Sequence, residues 1–171
     1  MEILKQFEFR KAELTEQDFE IYLQIKSDKD AIAYSGFNSA PDAKVFRKVY
    51  ERILNSENEY LYYLCDAHAN NKVAGTFHFS RKDNVTAEGL GYNVFPEYRG
   101  KGLGWVMMHK INNLCQSMGF LHRLSYVAET NIASIKNLEK SGAYYTGEYD
   151  MRDLPALGKQ VKYLHYITDL F

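Results

Sequence analysis

The densest chemistry in the sequence lies between Tyr92 and Gly104, YNVFPEYRGKGLG. An alternating run ends at Val94, and Pro96 blocks its continuation. Arg99-Gly100-Lys101-Gly102-Leu103-Gly104 then leads straight into a strongly patterned helix. Three glycines let the backbone turn with its N–H groups converging. Bare N–H groups at a helix start, together with the helix dipole, make an anion pocket. Arg99 and Lys101 add two formal positive charges. These residue types at this spacing point to a seat for a diphosphate. A Walker loop needs Ser or Thr after Gly-Lys, but Gly102 follows Lys101, which disfavours magnesium–nucleotide chemistry. A dinucleotide fingerprint is spaced G-x-G-x-x-G in an early βαβ unit, whereas Gly100, Gly102 and Gly104 are spaced G-x-G-x-G. A tight glycine turn with no ligand is the plain alternative.

Other polar residues carry weaker signals. His68, His78, His109, His122 and His165 show no metal-ligand spacing, so no metal is expected. His78, between Phe77 and Phe79, reads as a wall residue or an acceptor contact, and His109 as an exposed helix position. Tyr144, Tyr145 and Tyr149 line a substrate slot or pack a core. Glu148 and Asp150 either attract a cationic amine at its mouth or are simply solvated.

Composition sets the bounds. The chain has 171 residues, 46% hydrophobic and 25% charged, which fits one domain with a real core. Lys plus Arg number 21 and Asp plus Glu number 22, a net charge of −1, so nothing favours nucleic acid or an anionic membrane globally. Cys65 and Cys115 fit no zinc spacing and no disulfide framework, and read as buried thiols in a reducing compartment. Charge interrupts the N-terminal MEILKQFEFRKAEL, and no apolar run reaches the length of a membrane span. A soluble cytoplasmic protein is expected, and oligomeric state is open, a homodimer included.

Elements must position these residues. Phe7–Arg10 alternates as a first strand, and Thr15 caps a helix carrying Phe19, Tyr22, Leu23 and Ile25. Ser27 to Asp42 is loop-like, with at most a short helical turn, and a second helix runs from about Val45 to Asn55. Strands are expected at Tyr60–Cys65, Val73–Ser80 and Thr86–Val94, with turns at Asn70-Asn71 and Asp83-Asn84. Gly89 and Gly91 within the third of these suggest a bulge or a close approach to its backbone. Leu103, Val106, Met107, Ile111, Leu114, Cys115 and Met118 form one apolar stripe, ended by Gly119. A strand at Arg123–Glu129 follows. Asn131 then caps a short helix bearing Ile132, Ile135 and Leu138, and Gly142 stops it. Strands near Ala143–Tyr149 and Val161–Thr168 close the chain. The order β α α β β β α β α β β is an α/β or α+β sandwich, with helices on a mostly antiparallel sheet.

Two of these segments together resemble a known family. V-x-P-x-Y-R-G-K-G-L-G before an amphipathic helix is similar to the central R/Q-x-x-G-x-G/A motif of the GCN5-related N-acetyltransferase (GNAT) superfamily, at Arg99, Gly102 and Gly104. Asn131-Ile132-Ala133-Ser134 followed by Leu138-Glu139-Lys140-Ser141-Gly142 resembles its N-x-x-S/A…E-K-x-G helix, and the element order fits from Phe7 to Thr168. The resemblance implies a mixed sheet flanked by helices on both faces, with a splayed central strand pair. It implies acetyl-CoA as the donor, with its pyrophosphate on Arg99, Gly100, Lys101, Gly102, Leu103 and Gly104. Its pantetheine would run along the backbone of Asn93 and Val94. The N–H of Val94 or its neighbour would face the thioester carbonyl. Asn131 and Ser134 would lie beside the pantetheine and the sulfur.

The same resemblance assigns the catalysts. The superfamily's thiolate-protonating Tyr matches Leu138, which has no proton to give. The N-x-x-S helix more resembles the branch that acetylates ribosomal-protein N-termini, where a Ser serves the sulfur. Ser134 is the matching residue, and its alternative role is support of the helix start. Glu88 precedes Val94 by six residues, the offset of the base in histone-acetylating members. It is the candidate general base, with a solvated carboxylate or a water chain as the alternatives. Glu88, Leu90 and Tyr92 share a face unless a bulge intervenes. The loops Asp28–Pro41 and Asp150–Gln160 would shape the acceptor slot, and neither is densely acidic. The expected activity is N-acetylation of a small amine or a peptide N-terminus. A CoA-binding sensor without turnover and a longer-chain acyl transferase are the competing readings.

Overall fold

The structure is a computed structural model that describes residues 2–171. Its seven strands form one sheet in the order β1-β2-β3-β4-β5-β7-β6. They are β1 Phe7–Lys11, β2 Glu59–Asp66, β3 Lys72–Arg81, β4 Thr86–Val94, β5 His122–Ala128, β6 Tyr144–Leu154 and β7 Lys159–Asp169. Every pairing is antiparallel except β4 with β5. Helix α5, Leu103–Ser117, supplies the crossover that a parallel pair requires. The expected mixed sheet with helices on both faces is found.

Two apolar layers hold the helices. α1 (Glu2–Gln6), α5 and α6 (Ile132–Lys140) cover one face, where Leu103, Val106, Met107, Ile111 and Leu138 pack on Phe77, Phe79 and Ala87. α2 (Glu16–Lys26) and α4 (Ala43–Asn55) cover the other, with Phe19, Tyr22, Ile25, Phe46, Tyr50 and Ile53 on Leu61, Tyr63 and Val73. The apolar stripe read from the sequence is therefore α5's buried face.

Two helices depart from the sequence reading. α3, Lys29–Ser35, occupies ground expected to be mostly loop. Asp28 caps it by accepting from the Asp30 and Ala31 N–H groups, and Gly36 ends it in the left-handed region at φ 79°. Only Ala31 of its seven residues is buried, so no apolar stripe announces it. α1 buries no residue fully and rests Leu4 on the α5 layer. The last two strands also run further than expected, to Leu154 and from Lys159. Both cysteines are buried free thiols. No helix among the described residues is long and apolar enough to cross a membrane.

One glycine sets the spacing between β3 and β4. A Cβ on Gly75 would lie 2.5 Å from Met107 Cε and 2.6 Å from the Asn93 carbonyl oxygen. The methionine can swing away, but the carbonyl belongs to β4's backbone. Gly75→Ala is expected to destabilise the fold by about 1–3 kcal/mol, the usual range for overpacking. Chemical denaturation would measure it, and an unchanged midpoint would show that β4 yields without strain.

Candidate active site

The cleft begins where β4 and β5 part. They pair only from Thr86–His122 to Gly89–Ser125. Beyond that point β4 keeps its outer partner as far as Gly75–Val94, and β5 keeps β7 as far as Ala128–Tyr163. Each strand loses only its inner neighbour, so the sheet opens as a V. A cleft of about 930 Å³ fills the gap and reaches both helical layers, touching Lys26 and Tyr22 of α2 as well as Gly104 of α5 and Ser134 of α6.

A bulge decides which way β4's side chains point. Phe79 pairs with Gly89 and His78 with Gly91, leaving Leu90 as the extra residue. Before the bulge Ala87 faces the α5 layer, so Glu88 faces the α2–α4 side. After it Tyr92 and Val94 face the α5 layer. Glu88 and Tyr92 therefore sit on opposite faces, whereas an unbroken strand would place them together. The bulge suggested by Gly89 and Gly91 has this consequence.

β4's free edge offers main-chain donors. The Phe95 N–H donates to the Ala74 carbonyl at 2.9 Å. Successive peptide groups alternate, so the Val94 N–H and carbonyl turn the other way, toward the gap. The carbonyl accepts from Arg99 Nε at 3.0 Å, and the N–H remains available.

The glycine loop follows the short 3-10 turn Pro96–Tyr98. Gly102 lies at φ 79° as α5's N-cap and contributes no side-chain cap. Among the described residues, no N–H from Gly100 to Gly104 donates a well-formed hydrogen bond within the fold. Five successive amides at a helix start thus remain free for an anion. A Cβ on Gly104 would fall 2.3 Å from Asn137 Nδ2, so this glycine lets the first turn of α5 approach α6.

Arg99 is placed differently from expectation. Its guanidinium binds Asp28 at 2.5 Å and Asp30 at 2.8 Å. Burial alone would raise Asp28, but the Arg99 hydrogen bond, with two amides of α3, holds it below the usual carboxylate range. Arg99 therefore ties the loop to α3's start, with its charge already matched. Lys101 Nζ rests 2.8 Å from the Glu97 carbonyl and pairs with no carboxylate among the described residues, so it is an available cation of the loop.

Across the gap, Asn131 caps α6 by accepting from the Ser134 N–H at 3.2 Å. The cap uses the Ser134 amide and leaves its hydroxyl free to meet the Tyr92 hydroxyl at 3.0 Å. Tyr92 is a functional candidate that sequence reasoning passed over, because its partner is 42 residues away and the bulge that turns it had no fixed position. Leu138 is buried in the α5 layer. Tyr92, Ser134 and Leu138 line a small cavity together with Arg123. Arg123 is buried, and only neutral oxygens of Asn112, Ser125 and Thr168 accept from it.

On the α2–α4 side Glu88 accepts from the Tyr126 hydroxyl at 2.5 Å, with Ser80 Oγ at 3.4 Å and Lys82 Nζ at 3.7 Å. Burial and this hydrogen bond push the Tyr126 phenol up. His78 binds Glu59 at 2.9 Å, and burial holds its imidazole below the usual range. Lys26 Nζ donates to Asn93 Oδ1 at 2.8 Å, and burial lowers its ammonium to about 8. Tyr34, Ser35, Gly36 and Phe37 line the far end with Asp150 and Leu154, so the two expected loops do border the cleft. Tyr144, Tyr145 and Tyr149 do not; they are exposed on the edge strand β6. Glu148 pairs with His165 away from the lining.

The fold is shared with N-acetyltransferases. Spermidine N-acetyltransferase from Vibrio cholerae, solved in complex with CoA and spermine, superposes with a TM-score of 0.83 at 14% identity, covering 97% of this chain and 96% of the other. A single-residue mutant of that Vibrio cholerae enzyme gives 0.78 at 14%, covering 97% and 95%. A protein described as a phosphinothricin N-acetyltransferase gives 0.78 at 20%, covering 96% and 99%. No curated protein sequence matches the chain significantly. Residues 4–143 match the model of the acetyltransferase (GNAT) family, and the chain belongs to that family.

Proposed function

We propose that the protein moves an acetyl group from acetyl-CoA to a primary amine by direct attack. The row of undonated amides from Gly100 to Gly104, at the mouth of the β4–β5 gap, carries this reading. That loop fits a pyrophosphate: its successive N–H groups have no acceptor within the fold, and Lys101 stands in the same loop with no carboxylate partner among the described residues. The free edge at Tyr92 and Val94 would bind the pantetheine amides as an added strand, with Asn131 bordering them from α6. Asn93, expected to share that role, instead pairs with Thr76 of β3, so its main chain turns away from the gap. When bound, acetyl-CoA supplies a thioester carbonyl for attack. By the same alternation the N–H groups of Tyr92 and Val94 face the gap, where they would stabilise negative charge on that carbonyl's oxygen.

Proton traffic divides between the two faces. The amine would enter from the α2–α4 side, where Glu88 faces the cleft and would take its proton. The sulfur would lie on the α6 side, where the paired hydroxyls of Tyr92 and Ser134 would return one. Ser134 keeps the role that its match to the N-terminal acetyltransferase branch implies, now with Tyr92 as its partner. The acceptor class in this reading spans small amines and peptide N-termini.

The test is CoA titration followed by thiol release from acetyl-CoA with a panel of amines. Turnover supports the reading, and tight CoA binding with no acceptor favours the sensor. Glu88→Gln is expected to lower kcat about 100-fold, the range of a lost general base, with CoA affinity unchanged. Wild-type turnover in that variant removes Glu88 from the mechanism.

A further inference from the structure

The acceptor end of the cleft carries an unmatched positive charge. The other charged groups there are largely engaged with one another. Arg52 binds Glu59, whose second oxygen binds His78. Arg99 binds Asp28 and Asp30, and Arg152 binds Asp150, which also holds His165. Glu88 accepts from Tyr126. Lys26 has no carboxylate within 4.0 Å among the described residues, although its ammonium lines the cleft. Its Nζ stands 5.6 Å from the Tyr22 ring centre and 3.9 Å from where a Cβ on Gly91 would be, beside the bulge. An ammonium has three donors, and Asn93 Oδ1 accepts from one.

The end of α2 does not neutralise this charge either. The Leu23, Gln24 and Ile25 carbonyls accept from the Ser27 N–H, and Leu23 also accepts from the Ser27 hydroxyl. Burial lowers the Lys26 ammonium to about 8, which leaves it mostly protonated at neutral pH. The cleft thus holds a desolvated cation with donors to spare, beside Gly91 and Asn93, the neighbours of the proposed carbonyl-binding amides of Tyr92 and Val94. An unmatched charge in a half-buried site is costly until an anion meets it. A second ammonium on the acceptor would face like charge there and be disfavoured.

We propose that Lys26 is an anion seat for the acceptor, and that the amine acetylated here carries a carboxylate or similar acidic group close to its nitrogen. A polyamine is the wrong acceptor for this cleft. This rests on the transferase reading and narrows its substrate class. The anion comes either from a free amino acid or from an acidic residue opening a peptide.

Matched acceptors test it. L-phenylalanine is compared with 2-phenylethylamine, and L-methionine with 3-(methylthio)propylamine. Spermidine and a pair of tripeptides beginning with Asp or Ala complete the set. The acid-bearing member of at least one pair is expected to exceed its partner in kcat/KM by about tenfold or more, in keeping with a charge-assisted hydrogen bond. An Asp-over-Ala preference assigns the anion to a peptide, and an amino acid preference assigns it to the free molecule. Lys26→Met should collapse the preference, and Lys26→Arg should keep most of it. CoA affinity, measured alongside, reports an intact fold. Equal or better turnover of the plain amines and spermidine overturns the proposal while leaving the transferase reading in place, as does a preference that survives Lys26→Met. Absence of turnover with every amine overturns both.

Discussion

Replacing Gly102 by Trp is expected to raise the dissociation constant for CoA well over tenfold, while Gly102→Ala changes it far less. Gly102 sits at φ 79° with no atom within 4 Å of an added Cβ. Alanine therefore brings only the left-handed backbone penalty, about 1–2 kcal/mol. Tryptophan brings the same penalty and lays an indole across the free amides of the loop. The difference between the two variants isolates occlusion from strain. Titration calorimetry reads the affinity, and thermal melts confirm that both proteins fold. Salt should weaken wild-type binding only modestly. Arg99 is committed to Asp28 and Asp30, which would leave the backbone amides and Lys101 to hold the anion. Screening acts chiefly on exposed formal charges. If the Trp variant binds CoA as well as wild type does, the seat lies elsewhere.

The glycine loop and the helix it opens were legible because their signal is local. Three glycines, a proline stop and the α5 stripe lie within about thirty consecutive residues, and each has one dominant physical reading. The layered fold was legible for the same reason, since the β3, β4 and α5 patterns repeat at periods that secondary structure imposes. α3 was hidden because its cap and stop signals, Asp28 and Gly36, flank seven residues with one buried side chain. The pairing of Arg99 with Asp28 and Asp30 spans about seventy residues, and composition cannot state it. Lys26 reads in sequence as an ordinary last-turn helix cation. Only the fold places it against Asn93, with no carboxylate within 4.0 Å among the described residues. Long-range pairing decides charge balance, so the chemistry of the acceptor end had no local signature.

Tyr92→Phe and Ser134→Ala are each expected to lower kcat about 100-fold, and the double variant to be little worse than either alone. The reasoning starts from Leu138, which has no proton to donate and is buried in the α5 layer. The two hydroxyls stand 3.0 Å apart in its neighbourhood, and either can donate to the other. A proton passed to the departing sulfur from one would be replaced from the other, and the pair would regain it from solvent before the next turnover, so removing either breaks the relay. Groups that act as one unit show this lack of additivity. Arg123 lines the same small cavity with no carboxylate partner among the described residues, and its charge would favour whichever oxygen or sulfur became negative there. The Leu90 bulge gives the relay its direction. It turns Tyr92 toward α6 while Glu88 stays on the opposite face, so in this scheme Glu88 would take a proton from the amine on one face and the hydroxyl pair would supply a different one to the sulfur on the other. A purely structural hydroxyl pair would behave otherwise, with lower melting temperature and weaker CoA binding accompanying any loss of rate. Steady-state kinetics with CoA titration separates the two cases. Turnover in Tyr92→Phe within about twofold of wild type would leave the sulfur to take its proton from water.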